Sequence, residues 1–163
     1  MSCYRTTGRR RSLARRDGRP LTMASINYLV QCGAMRSANE EILQERSENL
    51  RKAFSRAEAA FGSGPFFKGA VLSNADLAWL PLLHRADIIL KHTGYDFLAG
   101  LPKAQAWREA ILETGIAEKS VALDFEDAFT EFYLSDRTFL GSGKNHNKIP
   151  DSKRSSVNCC GGG

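Results

Sequence analysis

The chain has 163 residues, 42% of them hydrophobic, 25% charged and 9% aromatic, which suits one domain of about 100–200 residues with tails and excludes a collagen-like or wholly disordered chain. No apolar run approaches the roughly 18 residues of a membrane-spanning helix. The net charge of +5 is uneven: residues 1–20 hold seven Arg against Asp17, residues 21–143 hold 12 bases and 16 acids, and residues 144–163 hold four bases against Asp151. A nucleic-acid reader carries its positive patch on the folded body, and this body is mildly acidic. No nucleic-acid or membrane partner is expected.

Residues 1–23 read as a disordered Arg-rich leader, too poor in large apolar side chains to fold alone. Three other readings stand beside it. The Arg, Ser and Thr content resembles an organelle transit peptide. Arg10-Arg11-Ser12-Leu13 suggests a twin-arginine signal, although Arg15, Arg16 and Asp17 occupy the place of the apolar run. Arg9-Arg10-Arg11-Ser12 has the form of a basic phosphorylation site. Met23 and Met35 are later candidate starts.

Helical periodicity dominates the body, and strand alternation is almost absent. The first predicted helix covers 24–37. Ile26, Leu29, Val30 and Gly33 fall on one face, and Gly33, which costs about 1 kcal/mol against Ala in a helix interior, is tolerated if a partner packs closely there. The second covers 39–61, with Leu43, Leu50, Phe54, Ala57 and Phe61 as its buried stripe. Arg46, Glu48, Arg51, Lys52, Arg56 and Glu58 form its solvated faces. Gly62-Ser63-Gly64-Pro65 ends it. No firm break separates the first two helices by sequence.

The third helix opens at Ser73-Asn74-Ala75-Asp76, a capping box in its Asp version. Ser73 and Asp76 satisfy each other's backbone N–H, and the Asp76 charge suits the positive end of the helix dipole. Leu72 and Leu77 are placed for a hydrophobic staple. This constellation reads as a folding device, not as a catalytic Ser/Asp pair. Apolar residues then surround most of 77–91, so the helix must be central. Pro81 should bend it by colliding with the Leu77 carbonyl, and Thr93-Gly94 should end it.

The fourth helix starts at Pro102 and stops at Gly115, with Ala104, Trp107, Ile111 and Leu112 inside. The fifth is predicted over 117–134, with Val121, Phe125, Phe129 (or Ala128) and Phe132 as an aromatic ladder. Residues 141–163 are rich in Gly, Ser, Lys and Asn, and disorder is expected there. The expected fold class is all-α, a bundle of about five helices over 24–140.

Cys3, Cys32, Cys159 and Cys160 do not staple the centre of the chain, which fits a reducing compartment. Cys32 reads as a small apolar residue. His84, Asp87 and His92 are too few and too spread for a zinc site, and Cys159-Cys160 with His146 has the residue types for a thiophilic metal in the tail. No metal is expected, and there is no phosphate-loop glycine pattern, nucleophile elbow or HExxH.

Gly64-Pro65-Phe66-Phe67-Lys68-Gly69, then Leu72-Ser73-Asn74-Ala75-Asp76-Leu77-Ala78 and Pro81, resembles the C-terminal all-helical domain of glutathione S-transferases. Leu101-Pro102-Lys103-Ala104-Gln105-Ala106-Trp107 resembles the family's "YP.L..W" helix, with Leu101 in place of the usual aromatic. The resemblance covers about residues 26–140. It implies a conjugating enzyme in which a thioredoxin-like domain holds glutathione and activates its thiol, because the thiolate is the nucleophile.

Residues 1–25 are too few for such a domain and show no strand pattern. The expectation is therefore a chain with the wall of the apolar acceptor site but no catalytic residue and no cofactor. Glutathione would be its co-substrate only where a thioredoxin-like domain is supplied. Expected partners are that domain or a second copy of the chain, and apolar small molecules. By the resemblance, Tyr28, Met35 and Arg36 on the first helix and Phe132 and Tyr133 on the last are candidates for the acceptor wall. A non-catalytic interaction module of the same fold is the alternative. The expected location is cytoplasmic, with organelle targeting through the Arg-rich segment as the alternative.

Overall fold

The computed structural model describes residues 19–143. The leader readings on residues 1–18, and the Cys159-Cys160-His146 reading, lie outside the described residues. Among the described residues six helices follow in order: α1 Arg19–Met35, α2 Glu40–Ala59, α3 Asn74–Thr93, α4 Pro102–Glu113, α5 Ile116–Lys119 and α6 Phe125–Tyr133. Among the described residues there is no strand, and the one β pairing is an isolated antiparallel bridge between Phe66 and Gly69. The all-α expectation holds. No helix among the described residues is long and apolar enough to cross a membrane.

α1 begins at Arg19, inside the segment read as leader. Its inner face also differs from the expected one. Ala24, Gln31, Ala34 and Met35 are buried, whereas Ile26 is 63% exposed and Leu29 73%. Gln31 donates from Nε2 to the Leu82 carbonyl, 2.8 Å away, while its buried Oε1 has no hydrogen-bond partner among the described residues, so a polar side chain sits where a larger apolar one was expected. Gly33 has no neighbour within 4 Å of where a Cβ would stand. Close packing is therefore not what admits a glycine there.

The break between the first two helices is clear in the structure. α1 ends at Met35, and Asn39 caps α2 by accepting from the Ile42 N–H at 2.9 Å. Arg46 braces the corner by donating to the Gly33 carbonyl at 2.7 Å. Phe139 N–H donates to the Ser37 carbonyl at 2.8 Å, which lays the C-terminal segment over the same corner. Leu43, Leu50, Phe54 and Ala57 of α2 are buried and Phe61 packs on the core.

α3 is the central element, packed on α1, α4 and α5. Ten of its residues are buried, spread around the helix. The helix continues through Pro81, which is exposed. Gly94 stops it with φ +74° and an N–H bond to the Leu90 carbonyl at 2.9 Å.

An aromatic cluster forms the heart of the bundle. Phe54 meets Trp79 at 5.3 Å between ring centroids, and Trp79 meets Trp107 at 5.7 Å. Phe61 stands edge-on to Trp107 at 4.7 Å, and Phe67 is 5.7 Å from the same indole. Such pairs add about 0.5–1.5 kcal/mol each beyond the area they bury.

The predicted fifth helix is two helices. The Ala117 carbonyl accepts from both the N–H of Ser120, at 3.1 Å, and its hydroxyl, at 2.7 Å. That tight three-residue closure ends α5. Five residues later the chain resumes as α6. Restarting the helix changes its phase: Phe129 is buried, Phe125 and Val121 are half-buried, and Phe132 is 60% exposed. Phe132 is thus outside the core ladder to which it was assigned.

Candidate functional site

Asp76 positions the first functional element. It is fully buried at the third position of α3. Its Oδ2 accepts from the Ser73 N–H at 2.7 Å and from the Ser73 hydroxyl at 2.6 Å. Its Oδ1 accepts from the Phe67 N–H at 2.7 Å and from the Trp107 indole N–H at 2.8 Å. The capping box is present, and one carboxylate joins the 62–73 loop, the start of α3 and the middle of α4. Leu72 beside it is half-buried, but Leu77 is 44% exposed, so the staple position lies at the surface. Removing the Ser73 hydroxyl leaves Asp76 its three N–H donors. Ser73→Ala should therefore cost only about 1 kcal/mol, read as a lower urea midpoint at unchanged slope. A midpoint equal to wild type would remove the cap assignment.

Four of the five candidate wall residues stand along a seam between α1, α3 and α6. Arg85 of α3 donates to the Tyr28 hydroxyl at 3.1 Å and its guanidinium lies 4.6 Å from the Tyr28 ring centre and 5.9 Å from that of Phe125. Tyr133 donates its hydroxyl to Cys32 Sγ at 3.5 Å. Burial, helped by that hydrogen bond, holds the Tyr133 phenol protonated, with its pKa pushed up to about 12. Arg36 lies 6.0 Å over the Phe132 ring. Next to that pair opens a groove of about 480 Å³ lined by Arg36, Glu131, Phe132, Ser135, Arg137 and Thr138. Met35, the fifth candidate, is fully buried in the core and does not line the groove.

Residues 40–110 match the family model described as glutathione S-transferase, C-terminal domain. The match supports a glutathione S-transferase C-terminal domain over that stretch. No curated protein and no solved structure matches the chain. The matched residues hold α2, the 62–73 loop, α3 and most of α4, hence the whole Asp76 hub. α1 and α6, which build the seam, lie outside the matched residues.

The titratable groups of the bundle are dispersed. His84 stacks on Phe125 at 5.6 Å, and His92 pairs with Glu126 at 2.8 Å. Asp87 pairs with Lys91 at 2.7 Å and faces buried Arg108, whose Nη1 donates to Asp96 at 3.3 Å. Among the described residues no group of three or more His, Cys, Asp and Glu side chains is placed to hold a metal ion.

Burial lowers the His84 pKa below its ordinary 6.5, against the pull of Glu118, Asp87 and Glu126 and with a smaller push from Arg85. The sign follows from linkage. Below pH 6.5 the unfolded chain takes up this proton before the folded one does, so His84 weakens the fold as pH falls from 6.5 toward its folded value. The side chain is half-buried, so the effect is small. His84→Gln should flatten the stability profile in that window, and the wild-type imidazole should titrate below 6.5 by NMR. Titration above 6.5 would overturn the assignment.

Sequence reasoning missed Cys32, Arg85 and Arg137 as members of the seam. Each depends on which helix faces which, and no local pattern marks it.

Proposed function

We propose that this domain supplies the acceptor-side wall of a glutathione transferase-like protein, with Tyr28, Arg36, Phe132 and Tyr133 along the wall. A thioredoxin-like domain would supply the groups that bind glutathione and form its thiolate. The observation that carries the reading is the seam. Three aromatic side chains of α1 and α6 converge beside an open groove, on a domain of the glutathione S-transferase C-terminal family.

The Cys32 thiol fits poorly as a nucleophile, because its near neighbour is a neutral phenol rather than a base. The chain alone should bind an electrophilic nitroaromatic at the seam, seen as chemical-shift changes at Tyr28, Phe132 and Tyr133. It should give no glutathione conjugation above the uncatalysed rate. Conjugation by the chain alone would refute the need for a second lobe. Shifts confined to other surfaces would refute the wall. A cytoplasmic location accords with this reading.

The exposed Ile26 and Leu29, three residues apart on α1, favour a second reading, a non-catalytic interaction module that associates through this helix. Sedimentation that depends on concentration and is abolished by Leu29→Glu would support it. A monomer at every concentration would not.

A further inference from the structure

We infer that α6 is a pH-operated latch: His84 and His92 clasp its first turn to α3, and acidification swings that end of the helix away while the far end stays pinned. The inference concerns how α6 is held and does not depend on what the seam binds.

The helix itself is the first observation. α6 has nine residues, of which Phe129 is the one buried. Isolated helices shorter than about 12–15 residues are marginal in water, so docking rather than propensity keeps this one folded. Its two ends are held differently. At the C-terminal end Tyr133 donates its hydroxyl to Cys32 Sγ at 3.5 Å and accepts at its carbonyl from the Thr138 hydroxyl at 2.8 Å. The Phe139 N–H then ties the following turn to the Ser37 carbonyl at 2.8 Å. At the N-terminal end the 120–124 linker makes no backbone hydrogen bond beyond Ala117 and Ala128 among the described residues, and Leu123 is fully exposed.

The clasp is the second observation. His84 and His92 are the histidines of the described residues, and they close on the first two residues of α6. His84 stacks on Phe125 with ring centres 5.6 Å apart and planes 29° from parallel. His92 Nε2 meets Glu126 Oε1 at 2.8 Å.

The groups around His84 set the direction of the switch. Glu118 faces it from α5, Asp87 and Arg85 from its own helix, and Glu126 from α6. Asp87 is itself paired with Lys91 at 2.7 Å. Burial outweighs the three acids and lowers the imidazole's pKa below 6.5. The Arg85 guanidinium already lies 5.9 Å from the Phe125 ring centre, so repulsion from Arg85 offsets the attraction of that ring for an imidazolium. Opening α6 returns His84 to water, where it binds its proton more tightly. The open population therefore grows as pH falls from 6.5 toward the closed-state value. His92 works against this, because protonation turns its bond to Glu126 into an ion pair. Those side chains are 42% and 50% exposed, and solvent screens the pair.

The test is native-state hydrogen exchange on the full chain at about pH 7.5 and about pH 5.5, either side of the histidine range, with rates corrected for intrinsic exchange. The Ala128 and Phe129 amides should exchange through a local opening that low urea barely accelerates, whereas the amides of α2 should follow urea-sensitive global unfolding. The local opening should be about threefold more populated at the lower pH. His84→Phe keeps a ring on Phe125 without a titratable group, and the imidazole it replaces makes no hydrogen bond among the described residues. That variant should abolish the pH response, and His92→Gln should steepen it. Exchange of α6 as urea-sensitive as that of α2 would show that no separate latch exists. A local opening equally populated at both pH values, an unchanged response in His84→Phe, or a flattened one in His92→Gln would each overturn the inference.

Discussion

Asp76→Ala is expected to lower stability by about 3–5 kcal/mol, a large part of the roughly 5–15 kcal/mol that holds an ordinary domain. The substitution removes one acceptor but strands several donors. The Phe67 N–H and the Trp107 indole N–H are both buried and both end on Oδ1. Each costs about 1–3 kcal/mol when left without a partner in the interior. The Ser73 N–H and hydroxyl lose Oδ2 as well. Asp76→Asn distinguishes shape from chemistry. A carboxamide has one acceptor oxygen, and its NH2 can only donate. With the oxygen turned to Phe67 and Trp107, the NH2 meets the Ser73 N–H, while the hydroxyl can rotate to accept. Asp76→Asn should therefore cost about half as much as Asp76→Ala. Trp107→Phe removes one of the stranded donors. It should be milder in the Asp76→Ala background than alone, with a coupling of about 1–3 kcal/mol in a double-mutant cycle from urea unfolding. An Asp76→Ala midpoint within about 1 kcal/mol of wild type, or a coupling of zero, would show that the carboxylate is not the hub its geometry makes it.

Ser73 and Asp76 were readable in the sequence because a capping box is a local device: three residues separate its halves, and the helix period brings them together. The rest of the hub was not, because Trp107 lies 31 positions from Asp76 and no spacing rule connects them. The same division runs through the fold. The stripes of α2 and α4 could be read from their apolar positions, since large side chains on one face leave no other choice. α1 could not. Its apolar residues mark the outer face, while Ala24, Ala34 and a hydrogen-bonded Gln31 make the contact with the core. Small size and a buried amide bonded to a backbone carbonyl leave no trace in a hydrophobicity pattern. The break after α5 came from the side chain of Ser120 competing for a backbone carbonyl, and it turned Phe132 outward. At the seam, Tyr28, Arg36, Phe132 and Tyr133 were named through family resemblance. Arg137 was not, because it follows α6 and reaches the groove only through the turn at 134–138.

Gly64→Ala should be nearly as damaging as Asp76→Ala, although Gly64 touches no site residue. Its φ of +139° is a region L side chains rarely adopt, and holding one there costs about 1–3 kcal/mol. An added Cβ would also stand 2.5 Å from the Gly69 carbonyl carbon and 2.6 Å from its oxygen. Those are backbone atoms, so no side chain can swing aside. The loop itself must open. Opening it pulls on the Phe66–Gly69 bridge, closed by bonds of 3.0 and 3.1 Å, and on the Gly62 N–H bond to the Phe67 carbonyl at 3.1 Å. Phe67 is the residue whose N–H reaches Asp76, so strain at Gly64 is passed to the hub. The expected loss is about 3–5 kcal/mol, backbone strain and the weakened buried bond together. Gly33→Ala is the control. That glycine lies within α1 with no neighbour inside 4 Å, so alanine should stabilise by about 0.5–1 kcal/mol through helix propensity. Opposite signs at the two glycines, measured by urea unfolding, are what the geometry requires. Hydrogen exchange then separates the two sources of the Gly64 loss. If the strain reaches the hub, the Phe67 amide should lose protection in Gly64→Ala more than the amides of α2 do. If Phe67 stays protected while the whole domain weakens, the loop carries its strain alone and the link to Asp76 fails.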